Sequence, residues 1–238
     1  MLDRRDFLGS VTLALLAETI GSRSLLASDA SPRLGNWIRS HEALARTLHE
    51  HPDRGNDWQN GVEELSAGLD LDEILRGIDF ARIEREFKFT SDGGTKHNLR
   101  LGNQLFGAAI FGLEKGRSIT PHGHRYMASA HLVLEGRLRA RNFDRLADEP
   151  EHLLLRPAVD ATIAPGACST MSTERNNIHW FTALTDRAFT LDVVVSDLVE
   201  GAPSYAIDLV DPDGGTRRGD GTIRAPRIDW KTSLRKYA

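Results

Sequence analysis

The sequence predicts a mainly β fold, an all-β sandwich or barrel preceded by short helices, and three observations point to it. From residue 99 to about 210, short β-prone runs recur at regular intervals: LFGAAIFGL, SAHLVL, RLRARNF, TIAPGACSTM, NIHWFTAL, AFTLDVVV and YAIDLV, separated by glycine, proline and charged turns. Residues 34–86 carry their apolar side chains at helical spacing instead. The segment PHGH at 121–124 puts His122 and His124 two apart, so on a strand both imidazoles face the same way.

Taken in order, residues 1–30 come first. Asp3-Arg4-Arg5-Asp6-Phe7-Leu8-Gly9 resembles a twin-arginine export signal, with an apolar run from Phe7 to Ala17 behind it and Arg23 and Ser28-Asp29-Ala30 resembling its cleavage region. That run of about eleven residues is well short of the ~20 that cross a bilayer, so no stable membrane span is expected. The resemblance implies the twin-arginine export machinery as a partner and a periplasmic or otherwise exported protein. The alternative is a cytoplasmic protein with an amphipathic terminal helix, which the acids Asp3 and Asp6 beside the arginines favour. The export route carries folded proteins, often with a cofactor already inserted, which suits a metal protein loaded before export.

Residues 31–98 form a helical segment. Leu44 and Leu48 share one face, Asn56 or Asp57 is placed to cap a helix that runs through Leu65 and stops at Gly68, and Asp70 precedes a short helix over Leu71 to Leu75. His41, His49 and His51 in this stretch read as solvated polar residues. Residues 99–210 form the barrel, and 211–238, rich in Gly, Arg and Asp, read as a solvated surface loop and tail that wraps the domain. At 238 residues and 40% hydrophobic, the chain suits one main domain. A net charge of −4 with both signs mixed offers no basic field for nucleic acid, and the single Cys168 excludes an internal disulfide.

The chemistry concentrates in two blocks. His122 and His124, with His179 from NNIHWF at 176–181, form a candidate metal-ligand set, and neutral imidazole suits Fe, Zn, Cu or Ni. Gly116, five residues, His122-Gly123-His124, then Ser129, six residues and Gly136 resembles the first cupin motif, with Ser129 where a glutamate ligand normally stands. The stretch HGHRYMASAHLVLEGRLRARNFDRL at 122–146 resembles the cysteamine dioxygenase and plant cysteine oxidase family through His122, His124, Met127, Val133, Leu134, Gly136, Phe143 and Asp144. The second block carries the likeness through Asn177, Ile178, His179, Phe181, Ala183, Thr185, Leu191, Asp192 and Val193. The resemblance spans residues 100–210.

That resemblance implies a cupin jelly roll, a double-sheet barrel, holding Fe(II) on His122, His124 and His179. The implied reaction inserts dioxygen into the sulfur of a small thiol, or of an N-terminal cysteine, to give a sulfinate. It implies roles for Asp192, which matches the family's Leu-Asp-Val aspartate, and for Tyr205 at the cavity mouth; Arg125 is a candidate grip for a substrate carboxylate. The chain departs from the family where Arg125 and Tyr126 replace Pro-Gly, and Pro203-Ser204-Tyr205 stands where some members have Cys-x-Tyr, so a thioether cross-link of that kind cannot form. Two other readings stand: a non-catalytic metal- or small-ligand-binding cupin of the cell envelope, and a three-histidine cupin dioxygenase acting on a non-thiol such as a β-diketone. His131 reads as a hydrogen-bonded neighbour of the site and Cys168 as a buried, inert thiol.

Overall fold

The computed structural model describes residues 32–89, 94–99, 105–203 and 206–238. The proposed signal at 1–30 and the candidate Tyr205 lie outside these described residues. Among the described residues four helices come first: α1 Pro32–Glu50, α2 Gly55–Ala67, α3 Leu71–Gly77 and α4 Phe80–Glu86. In α1 the buried positions Leu34, Trp37, His41, Ala45 and Leu48 follow helical spacing. His41 is therefore part of the apolar stripe, not the solvated residue expected: it is 2% exposed, with its ring 4.3 Å from Trp37 and 5.6 Å from Phe106. The N-cap of α2 is Arg54, two or three residues earlier than expected, and the helix ends at Gly68 as expected. Asp70 caps α3, its side chain accepting from the Glu73 N–H.

Twelve strands follow among the described residues: β1 Gly94–Leu99, β2 Gly107–Glu114, β3 Ser118–His124, β4 Ala128–Glu135, β5 Leu138–Asp148, β6 His152–Ile163, β7 Cys168–Met171, β8 Ile178–Ala183, β9 Arg187–Val195, β10 Ile207–Leu209, β11 Thr216–Arg217 and β12 Ile223–Pro226. A closing helix, α5, spans Trp230–Tyr237. The strands make a five-stranded sheet in the order β1-β2-β9-β4-β7 and a seven-stranded sheet in the order β10-β3-β8-β5-β6-β12-β11. The result is a mainly β, cupin-like two-sheet sandwich preceded by helices, as the sequence predicts.

Strand alternation gives each face of the five-stranded sheet its own partner. Ala108, Ile110, Ala130, Leu132, Leu191 and Val193 pack with the helices in the largest apolar cluster among the described residues. Ser129, His131, Thr190 and Asp192, on the opposite parity of β4 and β9, turn toward the seven-stranded sheet and are buried there. Much of the apolar stabilisation thus sits between helices and sheet, which frees the space between the sheets for polar chemistry. Buried hydrogen bonds fasten α2 to β7 and the loop after it: Gln59 Nε2 donates to Thr170 Oγ1 at 3.1 Å, and Ser172 Oγ to Gln59 Oε1 at 2.6 Å.

Residues 211–238 are more than a solvated loop and tail. β12 extends the sheet beside β6, burying Ile223 and Ala225. α5 docks on β3, where the buried Ser233 hydroxyl donates to Thr120 Oγ1 at 2.8 Å. The barrel also begins earlier than residue 99, because β1 starts at Gly94 and pairs with β2 along its whole length.

Candidate metal centre

β3 and β8 build the site. They run antiparallel with His122 opposite His179, and alternation along β3 brings His124 to the same face. The strands approach closely because residue 123 is glycine: a Cβ there would lie 2.8 Å from the Asn177 carbonyl oxygen and 2.5 Å from Ile178 Cδ1. After His124 the chain turns through Tyr126 at φ 57°, a left-handed conformation uncommon for a bulky side chain.

The three rings meet. His122 Nε2 and His124 Nε2 are 3.1 Å apart, and the ring centroids of His179 lie 4.2 Å from His122 and 5.5 Å from His124. One donor atom from each histidine falls within 4.8 Å of the others. Imidazole–metal bonds of about 2 Å place neighbouring ligands roughly 3 Å apart, so the His122–His124 pair already has the spacing of two ligands on one ion.

Protonation and tautomer suit the same role. Burial lowers His122 to about 4, against the opposing pull of the Thr120 carbonyl. Burial, then the neighbouring His122, His131 and His124, lower His179 well below the ordinary histidine value. Both rings are neutral at physiological pH, as metal ligation requires. His122 Nδ1 donates to the Thr120 carbonyl at 2.7 Å, leaving Nε2 with its lone pair toward the cluster. On His179, Nδ1 faces Met171 Sδ at 2.6 Å, a thioether in the place of the usual oxygen acceptor. The donor set fits a divalent transition metal.

No known protein-family profile matches the sequence, and no curated protein matches it. Solved structures do resemble it. KdgF from Halomonas sp. is 14% identical over 47% of this chain and 86% of its own, with a TM-score of 0.36. A cupin superfamily protein from Desulfitobacterium hafniense is 12% identical over 46% of this chain and 83% of its own, with a TM-score of 0.33. An oxalate oxidase is 15% identical over 44% of this chain and 52% of its own, with a TM-score of 0.35. Likenesses this distant carry no argument about activity; the cupin-like architecture is read from the strand order and the histidine positions.

The other candidate residues fall around this centre. Asp192 is 2% exposed and lies beside His131, not beside a ligand histidine: its Oδ2 is 2.9 Å from His131 Nδ1. His131 Nε2 is 3.1 Å from Ser129 Oγ, and the His131 ring lies 4.9 Å from that of His179. Arg125 is engaged on the other side of β3, where its Nε donates to Asp208 at 2.8 Å and its Nη2 to Asp148 at 3.0 Å. These acids, together with burial working the other way, leave Arg125 raised above the ordinary arginine value. Cys168 is half-buried rather than buried, and desolvation pushes its thiol up to about 11, so it stays protonated at neutral pH.

Two neighbours escaped the sequence reading. Asn142, 1% exposed, stands directly opposite His179 on β5, and its amide donates to Ser169 Oγ at 3.3 Å. In RLRARNF it takes the phase of Leu138 and Ala140, so a polar residue in the apolar phase was the available signal. Met171 left no such signal, because its role depends on contact with another strand. A surface cleft of about 500 Å³, lined by Lys115, Glu135, Arg137, Thr185 and Arg187 among others, does not touch the histidines.

Proposed function

We propose that this chain is an exported, Fe(II)-dependent oxygenase that inserts dioxygen into the sulfur of a small thiol or an N-terminal cysteine. One observation carries the reading: three imidazoles, with no carboxylate among them, converge between two sheets. His122, His124 and His179 would hold the metal, which supplies redox chemistry toward dioxygen when bound. Three neutral ligands leave its charge uncompensated and so favour an anionic substrate group such as a thiolate. The overall change balances without a further reductant: a thiol and one dioxygen give one sulfinic acid, with both oxygen atoms on sulfur.

The surrounding residues orient and enclose. The Thr120 carbonyl fixes the tautomer of His122, and Met171 packs against Nδ1 of His179. Phe181, fully buried and stacked 5.3 Å from the His179 ring, keeps water from that side. Tyr205 is proposed to line the entrance. A substrate-carboxylate grip by Arg125 is compatible only with donors beyond those it already gives to Asp148 and Asp208.

The test is metal analysis of the purified protein, followed by oxygen-consumption assays after aerobic Fe(II) loading. The substrates are cysteamine, cysteine, mercaptopropionate and a peptide beginning with cysteine. Uptake with a thiol, matched by sulfinate formation, supports the proposal. Metal binding without turnover replaces it with a binding protein of the cell envelope, and uptake with a β-diketone but no thiol replaces the substrate class. Export is tested separately, by changing Arg4 and Arg5 to lysine in the full chain. The unprocessed protein is then expected to accumulate in the cytoplasm, and unchanged export overturns that part.

A further inference from the structure

The wall that faces the three histidines is polar, and the proposed chemistry assigns it no part. His131 on β4 and Asp192 on β9 are paired directly across the strands, 5% and 2% exposed, and both face the seven-stranded sheet. Asp192 Oδ2 is 2.9 Å from His131 Nδ1 but off the line of its N–H, and Oδ1 has no hydrogen-bond partner among the described residues. His131 Nε2 is occupied by Ser129 Oγ at 3.1 Å. The ring between them packs 4.9 Å from His179 and 5.0 Å from Phe181. A buried carboxylate with one oxygen unpartnered is unfavourable unless a positive charge lies close by.

We propose that Asp192, spaced by His131, is the outer-sphere counter-charge of the metal centre, with His131 and Ser129 acting as positioning residues. Three neutral imidazoles leave a divalent ion's charge uncompensated, and Asp192 is a buried acid one ring away from a ligand histidine. His131 has Nδ1 turned to the carboxylate and Nε2 to the serine, so it fixes the distance without joining the ligand set. Asp192 thereby offsets part of the divalent charge without occupying a coordination position, which leaves the remainder, and those positions, to an exogenous anionic ligand. This inference rests on the three histidines holding a divalent metal; it does not depend on the substrate being a thiol.

Co(II) tests it in the full chain, because its absorption bands report the ligand field and its titration gives an affinity. Asp192→Asn and His131→Phe are each expected to weaken Co(II) binding about tenfold and to shift the bands, the size typical of outer-shell partners. If the two residues act as a unit, the double variant loses no more than the weaker single variant. Thr190→Val is the control for simple loosening of the strand. Thr190 lies on the same face of β9, 2% exposed with an unpartnered hydroxyl, and its removal is expected to leave affinity and bands unchanged.

Wild-type affinity and spectrum in Asp192→Asn overturn the proposal, as does an equal loss in Thr190→Val or a wild-type chain that binds no Co(II). Should Asp192→Asn fail to fold, His131→Phe decides alone, because it keeps a ring packed against His179. A chain that shows the coupled Co(II) effects yet oxidises no thiol loses the oxygenase reading and keeps this one.

Discussion

Gly123 passes so close to Asn177 that a Cβ added to it would lie 2.8 Å from the Asn177 carbonyl oxygen. This contact sets the separation of β3 and β8, and hence the distance from the His122–His124 pair to His179. Gly123→Ala must push backbone against backbone, since the carbonyl cannot swing aside as a flexible side chain would. The expected loss is about 1–3 kcal/mol of stability, as for other overpacked sites, together with weaker metal uptake. Urea denaturation and Co(II) titration check both, and an alanine variant with wild-type stability and affinity would show that the strands have slack.

His41 gives the chain a defined sensitivity to acid. Burial lowers it from 6.5 to about 4, so the unfolded chain takes up its proton before the folded protein does. Stability is therefore full above pH 6.5 and falls as pH drops toward 4, by about 3 kcal/mol from this residue over the whole interval. His41→Phe keeps a ring against Trp37 and removes the titration. Denaturation at pH 7 and pH 4.5 is expected to show the variant losing about 2–3 kcal/mol less than the wild type. Equal losses would place the acid sensitivity elsewhere.

Much of the fold and the centre of the site were legible in the sequence, because both rest on local patterns. His122 and His124 face one way by strand alternation alone, and Asp70 caps α3 as its position suggests. What escaped depended on tertiary partners. His41 looked polar by residue type, but spacing places it on the stripe of Leu34, Trp37, Ala45 and Leu48. β6 was missed because Pro157 and charged residues interrupt it; proline is tolerated there because β12 pairs only with His152 to Leu155, leaving the rest of the strand as an edge. The tail at 211–238 reads as solvated until β6 supplies the edge on which Ile223 and Ala225 are buried. That His131 stands beside Asp192 follows from the register of β4 and β9, which the sequence does not state.

Asp208 ties the outer face of the seven-stranded sheet together. It accepts from Arg125 at 2.8 Å, from Arg145 at 2.6 Å and from Arg227, with its side chain 13% exposed. Burial pushes its carboxyl up, but hydrogen bonds and charge from Arg125 and Arg145 outweigh that and hold it below the ordinary aspartate value. Asp208→Asn leaves three guanidinium groups around a neutral amide with only Asp148 still facing them, and is expected to cost about 1.5–3 kcal/mol, the scale of hydrogen bonds to a charged group. Thermal denaturation checks the loss. Arg125 is freed from its main partner in this variant, so any change in thiol KM would reveal whether its guanidinium reaches substrate.

His179→Ala separates the metal from the fold. The substitution leaves only His122 and His124, both from β3, and opens the space beside Met171 and Phe181. Metal content and thiol-dependent oxygen uptake are expected to fall together, because the remaining pair cannot enclose the ion. The stability of the metal-free chain falls less, by about 2 kcal/mol for the cavity left behind. The largest apolar cluster lies between the helices and the five-stranded sheet, on the far side of that sheet from His179. Circular dichroism, metal analysis and oxygen-electrode assays on the same preparation distinguish the outcomes. Full metal content with full uptake removes His179 from the centre. If the variant keeps its fold and loses its metal, while the parent consumes no oxygen with any thiol, the three histidines belong to a metal-binding protein and the oxygenase proposal falls.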